Sequence, residues 1–280
     1  MQEQDWGKSI PPMNFCRILI AMFLPLITAD LAAEVSQGKK QLPLTGESLL
    51  FNGHEAFVIL PETPASGNPW VWYAPTLKGL PSKSETWMLE QFLAKGIAIA
   101  GIDIGESFGS MEGRKTCSAY HDYLTGTRGF SEKPVLLARS RGGLMLYGWA
   151  VGNPRSVAAI AGIYPVCDIV SYPGLKRASS AYGMTADQLE SKLNEHNPIA
   201  RMAPLAEARI PIRHIHGDND KVVPLDANSG ELVKRYKALG GPAELEVVPG
   251  GGHDGDRAWF QSQPLTDFII THALSGAAEK

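Results

Sequence analysis

Strand-like apolar runs alternate with helical patterns along this sequence from about residue 46 onward. Strands that alternate with helices are expected to form a mostly parallel sheet, with helices packed on both of its faces. The runs Ile97–Ile102 and Val135–Ala138 are apolar at every position, as is typical of central parallel strands that are buried on both faces. The sequence therefore predicts an α/β fold around a parallel sheet.

The hydrophobic periodicity and the turn residues place the individual elements. The predicted strands are His54–Leu60, Trp70–Ala74, Ile97–Ile102, Pro134–Ala138, Val157–Tyr164, Ile210–His216 and Glu244–Val248. The predicted helices are Ser84–Ala94, Arg114–Thr125, Gly142–Val151, Thr185–Asn194, Asn228–Leu239 and Ala258–Leu274.

The composition is that of a globular protein with one large core. The chain has 280 residues, of which 44% are apolar and 20% are charged, and we expect a single domain over residues 34–280. A net charge of -3 provides no basic surface for phosphates, so we expect no nucleic-acid partner. Two cysteines of this domain, Cys117 and Cys167, either form one disulfide or remain as two free, buried thiols.

Residues 1–33 have the pattern of a secretory signal peptide. Arg17 precedes the apolar run Ile18–Ile27, and small residues follow, so that cleavage after Ala29 or after Ala33 fits the pattern. A membrane-spanning helix needs about twenty apolar residues, so we expect no stable membrane span. We predict a secreted or periplasmic protein whose leader is removed. The alternative is an N-terminal segment that stays on the chain and is buried or disordered.

The segment Pro165–Ala206 interrupts the alternation of strands and helices. It contains a helical patch and several turn residues, and it is too long for an ordinary connection between a strand and a helix. We interpret it as a small, lid-like helical insertion, and the alternative is a rigid packing element that covers a sheet edge.

A serine between an apolar strand and a helix is the strongest local signal. Leu136–Ala138 runs through Ser140 into the helical segment Gly142–Val151. In a nucleophile elbow the serine lies at a strained turn, where small neighbours let strand and helix pack closely. The usual pattern is Gly-x-Ser-x-Gly, and here Ala138 replaces the first glycine. Ser140 is the candidate nucleophile, and the alternative is a plain turn with a helix N-cap.

A second signal follows a later strand. The segment His216–Pro224 comes after the apolar run Ile210–Ile215 and contains Asp218 and Asp220. The acid of a serine triad lies on a loop after a late strand, downstream of the nucleophile. Either aspartate fits that place, and either could instead stabilise a turn.

A glycine-rich loop carries the candidate base. His253 follows Gly250–Gly252, and glycines permit backbone paths that project an imidazole over the sheet edge. His214 and His216 alternate with apolar residues on a strand, so we assign them a structural role. The order serine, aspartate, histidine, each at the end of a predicted strand, predicts a catalytic triad.

These residues resemble the α/β-hydrolase family, and within it the prolyl-oligopeptidase-like and dienelactone-hydrolase-like branch. The resemblance covers about residues 46–274 and is strongest in His216–Pro224 and in Asn197–Ile199. It implies an α/β-hydrolase fold and a serine hydrolase mechanism. It also implies that the acid is the aspartate four positions before the proline, which is Asp220 and not Asp218. No cluster of histidines and carboxylates has metal-ligand spacing, so we expect neither a metal nor a cofactor.

Acyl transfer also needs donors for the developing oxyanion. One donor is expected to be the backbone N–H of Arg141, the residue after the nucleophile. The other is expected in the loop after Trp70–Ala74, where Thr76 and Leu77 are the candidates. The segment Gly105–Gly109, which also ends a strand, is expected to lie near the site.

Two arginines flank Ser140. A guanidinium at this place can contact a carboxylate or sugar-acid substrate, and the Ser140–Arg141 pair resembles the elbow of glucuronoyl esterases. The alternative, which we favour, is that Arg139 and Arg141 form ion pairs with carboxylates at the sheet edge.

Three functions are compatible with these features. The leading hypothesis is a carboxylic-ester hydrolase that works through an acyl-enzyme on a small-molecule or carbohydrate-linked ester. The second is a prolyl-oligopeptidase-like peptidase, although the chain length leaves no room for the propeller domain that restricts access to such enzymes. The third is a non-catalytic binding protein on a hydrolase fold, which an apparently complete triad argues against.

Overall fold

A computed structural model describes residues 1–2 and 33–278 of the protein. The chain divides into the units Met1–Ala32 and Ala33–Lys280, and the second unit carries the sheet. The predicted leader lies outside the described residues, apart from its two ends. Among the described helices, none combines the length and the apolar character that a membrane crossing requires.

In residues 33–278 the sheet has nine strands in the order β1-β2-β3-β5-β4-β6-β7-β8-β9. Neighbours from β1 to β5 in this order pair antiparallel, and all pairs from β5 to β9 are parallel. The strands are β1 (Val35–Gln37), β2 (Glu47–Phe51), β3 (His54–Ile59), β4 (Trp70–Ala74), β5 (Ala98–Ile102), β6 (Val135–Arg139), β7 (Ala159–Ile163), β8 (Ile212–Gly217) and β9 (Ala243–Val248).

Helices link the parallel strands, as the alternation predicts. The α-helices are α1 (Thr86–Ala94), α2 (Met111–Asp122), α3 (Gly142–Ala150), α4 (Leu175–Ala178), α5 (Ala186–Ser191), α6 (Leu193–His196), α7 (Ala203–Glu207), α8 (Glu231–Ala238), α9 (Arg257–Phe260) and α10 (Gln263–Ala278). The predicted helix Thr185–Asn194 is divided into α5 and α6 at Lys192, and Thr185 is the N-cap of α5.

The sheet buries apolar side chains on both faces. Consecutive residues of a strand point to opposite faces, and the central strands are apolar at every position. Each central strand therefore contributes side chains to a hydrophobic core on each face of the sheet. One core contains Trp72, Leu136 and Leu146, and the other contains Tyr73, Leu137 and Leu265. All six are almost fully buried, and each such side chain contributes about 1.5–3 kcal/mol through its burial.

Cys117 and Cys167 are both free and buried, which decides between the two states that the sequence left open. Burial raises the pKa of the Cys117 thiol to about 12 and raises that of Cys167 well above its usual value. Both residues therefore serve as small apolar side chains of the core at neutral pH.

Four short helices, α4 to α7, lie between β7 and β8 and have an apolar cluster of their own. Ile169, Ala178 and Leu189 pack there with Leu144 of α3 and with Val223. Asn197 anchors the segment, since its Oδ1 accepts from the Ile169 N–H at 3.1 Å and its Nδ2 donates to Asp168 at 2.6 Å.

Helix α3 approaches the sheet unusually closely at its N-terminus. A β-carbon on Gly142 would overlap the carbonyl oxygen of Ala74 at the end of β4, and one on Gly143 would overlap the carbonyl oxygen of Val166. Ala138 on β6 lies between Ala74 and Gly162 in the strand register, so small residues surround this contact. The packing therefore requires glycine at the first two positions of α3.

We expect Gly142→Ala to destabilise the fold, because the added methyl group meets backbone atoms that cannot rotate away. Overpacking of this kind costs about 1–3 kcal/mol, and each kcal/mol lowers the Tm by roughly 2–4 °C in a domain of this size. Thermal unfolding followed by circular dichroism measures the change. The control is Gly126→Ala, because the space around Gly126 is open. Equal Tm values for the two variants would contradict the proposed constraint.

Candidate active site

Ser140 occupies a strained turn between β6 and α3. Its φ is 49°, a left-handed conformation that non-glycine residues seldom adopt, and such strain typically costs about 1–3 kcal/mol. Three backbone hydrogen bonds hold it. The Ser140 N–H donates to the oxygen of Ile163 at 3.0 Å, and the Ser140 oxygen accepts from Gly143 at 3.0 Å and from Val166 at 2.8 Å. The turn therefore projects the side chain beyond the carboxyl edge of the sheet.

Asp220 lies on the loop after β8, with a fully buried side chain. Its Oδ1 accepts hydrogen bonds from the N–H groups of Val222 and Val223 at 2.9 and 2.8 Å. Its Oδ2 is 2.7 Å from Nδ1 of His253. Asp218, by contrast, is exposed and accepts from the N–H of Gly250 at 2.7 Å. Of the two candidate acids, the structure thus brings Asp220 to the histidine.

His253 joins the two other residues. It follows β9 on the glycine loop, in which Gly250 has a φ of 71°. Its Nε2 is 2.9 Å from Oγ of Ser140. Because the carboxylate of Asp220 can only accept, Nδ1 of His253 carries the proton and Nε2 is free to accept the serine hydroxyl hydrogen. This tautomer is the one that a general base beside a serine requires.

Tyr164, which the sequence did not single out as a site residue, packs against the candidate base. The centres of its ring and of the His253 ring are 4.3 Å apart, and its hydroxyl donates to the backbone oxygen of Asp254 at 2.8 Å. Burial raises the pKa of Tyr164 to about 12, so the phenol stays neutral. Its place directly after β7, at the edge that carries Ser140, is the signal that could have indicated it.

A cleft of about 290 Å³ opens above Ser140. The residues that line it include Ser140, His253 and Tyr164, together with Pro75 and Leu80 from the loop after β4. The candidate nucleophile and base therefore face an open cleft.

The loop after β4 is anchored where the sequence places the second oxyanion donor. Nζ of Lys40 donates to the backbone oxygens of Thr76 and Leu77 at 2.9 and 3.0 Å, and Thr76 is buried. The N–H of Arg141 lies at the start of α3, where the first N–H groups of a helix lack helical acceptors. Arg141 and the two loop residues remain the candidate donors.

The arginines beside Ser140 form the expected ion pairs. Nη1 of Arg139 is 2.5 Å from the fully buried carboxylate of Glu85, which also accepts from the Tyr73 hydroxyl at 2.6 Å. Arg141 pairs with Glu106 at a half-exposed position, where such a pair stabilises little. Glu106 belongs to the segment Gly105–Gly109, which therefore lies near the site as expected.

His216 also reaches the candidate acid, although the sequence suggested a purely structural role for it. Its ring is completely buried on β8, and its Nε2 is 3.5 Å from Oδ2 of Asp220. The alternation of apolar residues and histidines on the strand showed that the ring points inward. It did not show that the loop folds back over it.

The fold and this group of side chains define an α/β-hydrolase with the arrangement of a serine hydrolase. The model of the prolyl oligopeptidase family matches residues 117–272, which is more than half of the chain. The chain therefore belongs to the prolyl oligopeptidase family. No curated protein sequence is significantly similar to it.

Solved structures share the fold at low sequence identity. Est1E from Butyrivibrio proteoclasticus has a TM-score of 0.60 at 17% identity, over 84% of this chain and 100% of that one. An acylaminoacyl peptidase from Pyrococcus horikoshii has a TM-score of 0.61 at 15% identity, over 85% of this chain and 41% of that one. A puromycin-hydrolyzing peptidase from Mycobacterium tuberculosis has a TM-score of 0.58 at 15% identity, over 88% of this chain and 39% of that one. The chain thus spans about two fifths of these peptidases.

We expect Asp220→Asn to lower kcat by about ten-thousandfold, because an amide at this place favours the wrong tautomer of His253. Asp218→Asn should leave kcat within a few-fold, since it touches only the N–H of Gly250. Both variants should fold. Steady-state kinetics on an aryl ester, with circular dichroism to check folding, measures the difference. Loss of turnover in folded Asp218→Asn with retention in Asp220→Asn would reverse the assignment.

Proposed function

We propose that this protein is a carboxylic-ester hydrolase that works through an acyl-enzyme. Oγ of Ser140 attacks the ester carbonyl while its proton passes to Nε2 of His253, and Asp220 stabilises the imidazolium that forms. The tetrahedral intermediate collapses as His253 gives the proton to the leaving alcohol. Water then attacks the acyl-enzyme by the same route and releases the acid and the free serine.

The proposed oxyanion site uses backbone donors only. The N–H of Arg141 supplies one hydrogen bond, and the N–H of Thr76 or Leu77 supplies the other. Support comes from the hydrogen bonds that Lys40 donates to the backbone oxygens of Thr76 and Leu77, which restrain the loop after β4 before the reaction. Preorganised donors are effective because they need no reorientation as charge develops, and each contributes about a hundredfold to a thousandfold in rate.

The small size of the cleft favours an ester over a peptide. At about 290 Å³ it lies at the lower end of the range of ligand pockets, so it provides few contacts remote from the reacting carbonyl. Cleaving an amide, which is less reactive than an ester, depends more on such remote binding energy. This cleft is the observation that carries the proposal of a short-acyl ester substrate.

The rim of the cleft supports a polar leaving group. Arg141 and Asp254 line the cleft, and Arg141 pairs with Glu106, so charged and hydrogen-bonding groups lie beside Ser140. Hydroxyl groups of a carbohydrate can bind such a rim. We propose a carbohydrate-linked ester outside the cytoplasm, and the signal-peptide pattern of residues 1–33 supports that location.

The segment between β7 and β8 is proposed to shape access to the cleft. Its apolar cluster contacts Leu144 of α3 and Val223 of the acid loop, so it adjoins two elements that carry site residues. Insertions of this kind can cover a cleft and exclude water during the reaction. A rigid packing element is the alternative role.

A peptidase is the second candidate, and membership of the prolyl oligopeptidase family supports it. The same three side chains cleave esters and amides by the same steps. The choice between the two therefore depends on what binds on either side of the scissile bond.

We expect a fluorophosphonate probe to label Ser140 and no other serine. Ser140 combines the exposed turn with a histidine acceptor at 2.9 Å, and an activated serine is what such probes require. Mass spectrometry of the digested protein locates the label. His253→Ala should abolish labelling. Labelling of a different serine, or none on an active preparation, would disprove the assignment.

We expect short-chain esters to be preferred over long-chain esters and over aminoacyl amides. The value of kcat/KM should fall from acetyl to octanoyl esters, because few apolar side chains line the cleft and the longer acyl chain finds little apolar surface to bind. A panel of aryl esters, acetylated and methyl-esterified sugars and aminoacyl amides measures this, with Ser140→Ala as the control. A kcat/KM for aminoacyl amides that equals the value for esters would favour the peptidase.

A further inference from the structure

A chain of buried hydrogen bonds lies behind the candidate acid. The Tyr147 hydroxyl is 2.8 Å from Nε2 of His214, and Nδ1 of His214 is 2.9 Å from Oγ of Ser229. The same Oγ is 2.8 Å from Nδ1 of His216, whose Nε2 is 2.8 Å from the backbone oxygen of Val223. The three side chains between Tyr147 and Val223 have no exposed surface.

The backbone oxygen of Val223 determines the position of every proton in this chain. A carbonyl only accepts, so Nε2 of His216 carries a proton and Nδ1, in the neutral ring, accepts from the Ser229 hydroxyl. Having donated its one hydrogen, Ser229 accepts from Nδ1 of His214. Nε2 of His214 then accepts from Tyr147. All four hydrogen bonds therefore run in one direction, from Tyr147 to Val223.

Both histidines are held in the neutral state that this chain needs. Burial, together with the neighbouring His216, lowers the pKa of His214 to about 3. Burial also lowers the pKa of His216, although Val223 and Asp220 act in the opposite direction. At neutral pH the two histidines therefore carry no charge, and each keeps the same tautomer.

The chain ends on the residue that holds Asp220. The N–H of Val223 donates to Oδ1 of Asp220 at 2.8 Å, while the oxygen of Val223 accepts from His216. The same Nε2–H of His216 lies 3.5 Å from Oδ2 of Asp220. The position of the carboxylate thus depends on His216 through Val223 and through a direct electrostatic contact.

The other end of the chain lies on the helix of the nucleophile. Tyr147 belongs to α3, which starts directly after the Ser140 turn. Hydrogen bonds lead from Tyr147 to Asp220 and then through His253 to Ser140. The backbone from Ser140 along α3 to Tyr147 completes a ring. The ring joins the nucleophile helix to the acid loop.

We propose that His216 is a positioning residue of the triad: its fixed Nε2–H donor holds Val223 and thereby keeps the Asp220 carboxylate in line with Nδ1 of His253. The inference rests on the proposed role of Ser140, Asp220 and His253. Misplacing a catalytic group by about 1 Å can cost about a hundredfold in rate, so the loss of this donor should reduce turnover without removing any residue that touches substrate.

Three variants test the inference in the full chain. His216→Leu removes the donor at similar side-chain volume, and His216→Gln keeps an amide N–H that can reach Val223. Tyr147→Phe is the matched control, because it breaks a buried hydrogen bond at the far end of the same chain. The readouts are the second-order rate of fluorophosphonate labelling, kcat and KM on an aryl ester, Tm, and the downfield proton resonance of the His253 Nδ1–H.

We expect His216→Leu to lower kcat and the labelling rate by about tenfold to a hundredfold, with KM within twofold and a shifted or broadened His253 resonance. His216→Gln should recover most of the rate. Tyr147→Phe should lower the Tm and leave kcat and the resonance close to those of the native protein. If His216→Leu does not fold, His216→Met, which also removes the Nε2–H donor to Val223, replaces it with the same expected direction.

A purely structural role for His216 would give a different pattern. Native rates and a native His253 resonance in folded His216→Leu or His216→Met, with only the Tm lowered, would overturn the inference. Equal rate losses in Tyr147→Phe and His216→Leu would overturn it too. Failure of the native protein to react with the probe at Ser140 would instead disprove the proposed function, so the two failures are distinguishable.

Discussion

The close approach of α3 to the sheet is the constraint on which the rest of the site depends. Gly142 and Gly143 allow the helix to meet the backbone at Ala74 and Val166, and this contact leaves Ser140 in a left-handed turn. A serine in a relaxed conformation would continue the strand or enter the helix, and its side chain would not clear the sheet edge. The backbone strain at Ser140 therefore makes its hydroxyl accessible at the sheet edge. The packing around Gly142 and Gly143 keeps the strained conformation in place.

The parallel sheet determines where the candidate acid and the candidate base lie. Parallel strands bring their carboxyl ends to one edge of the sheet, so the loops after β8 and β9 lie beside the turn that carries Ser140. The acid is then buried and receives three hydrogen bonds, whereas the base lies between the buried acid and the open cleft. Because Asp220 is fully buried, it can be displaced only if its loop moves. The core residues that contact this loop therefore affect the geometry between Asp220 and His253.

Sequence patterns predicted the parts of this protein that depend on local or repetitive features. The central strands were predictable because their apolar runs are continuous. The strands β1 and β2 were missed because β1 is exposed at all three residues and β2 buries only Leu49 and Phe51, so neither forms a long apolar run. Ser140, Asp220 and His253 were predictable because each follows a strand in a fixed order. The contacts of Tyr164 and His216 were not, because they arise from loops that return to the edge from distant parts of the chain. The partner of Asp218, the N–H of Gly250, was hidden for the same reason.

The triad itself does not discriminate between an ester and a peptide, since the proton transfers are the same for both. Discrimination has to come from contacts that strengthen in the transition state of one substrate and not of the other. In this structure the cleft is lined by Pro75 and Leu80 from the loop after β4 and by the polar residues Arg141 and Asp254. Under the proposed ester function, an amide would gain little from such surroundings to compensate for its lower reactivity, whereas a more reactive ester would need fewer remote contacts. The family membership leaves the substrate open, and under the proposed function the loop after β4 and the polar residues around the cleft would select it.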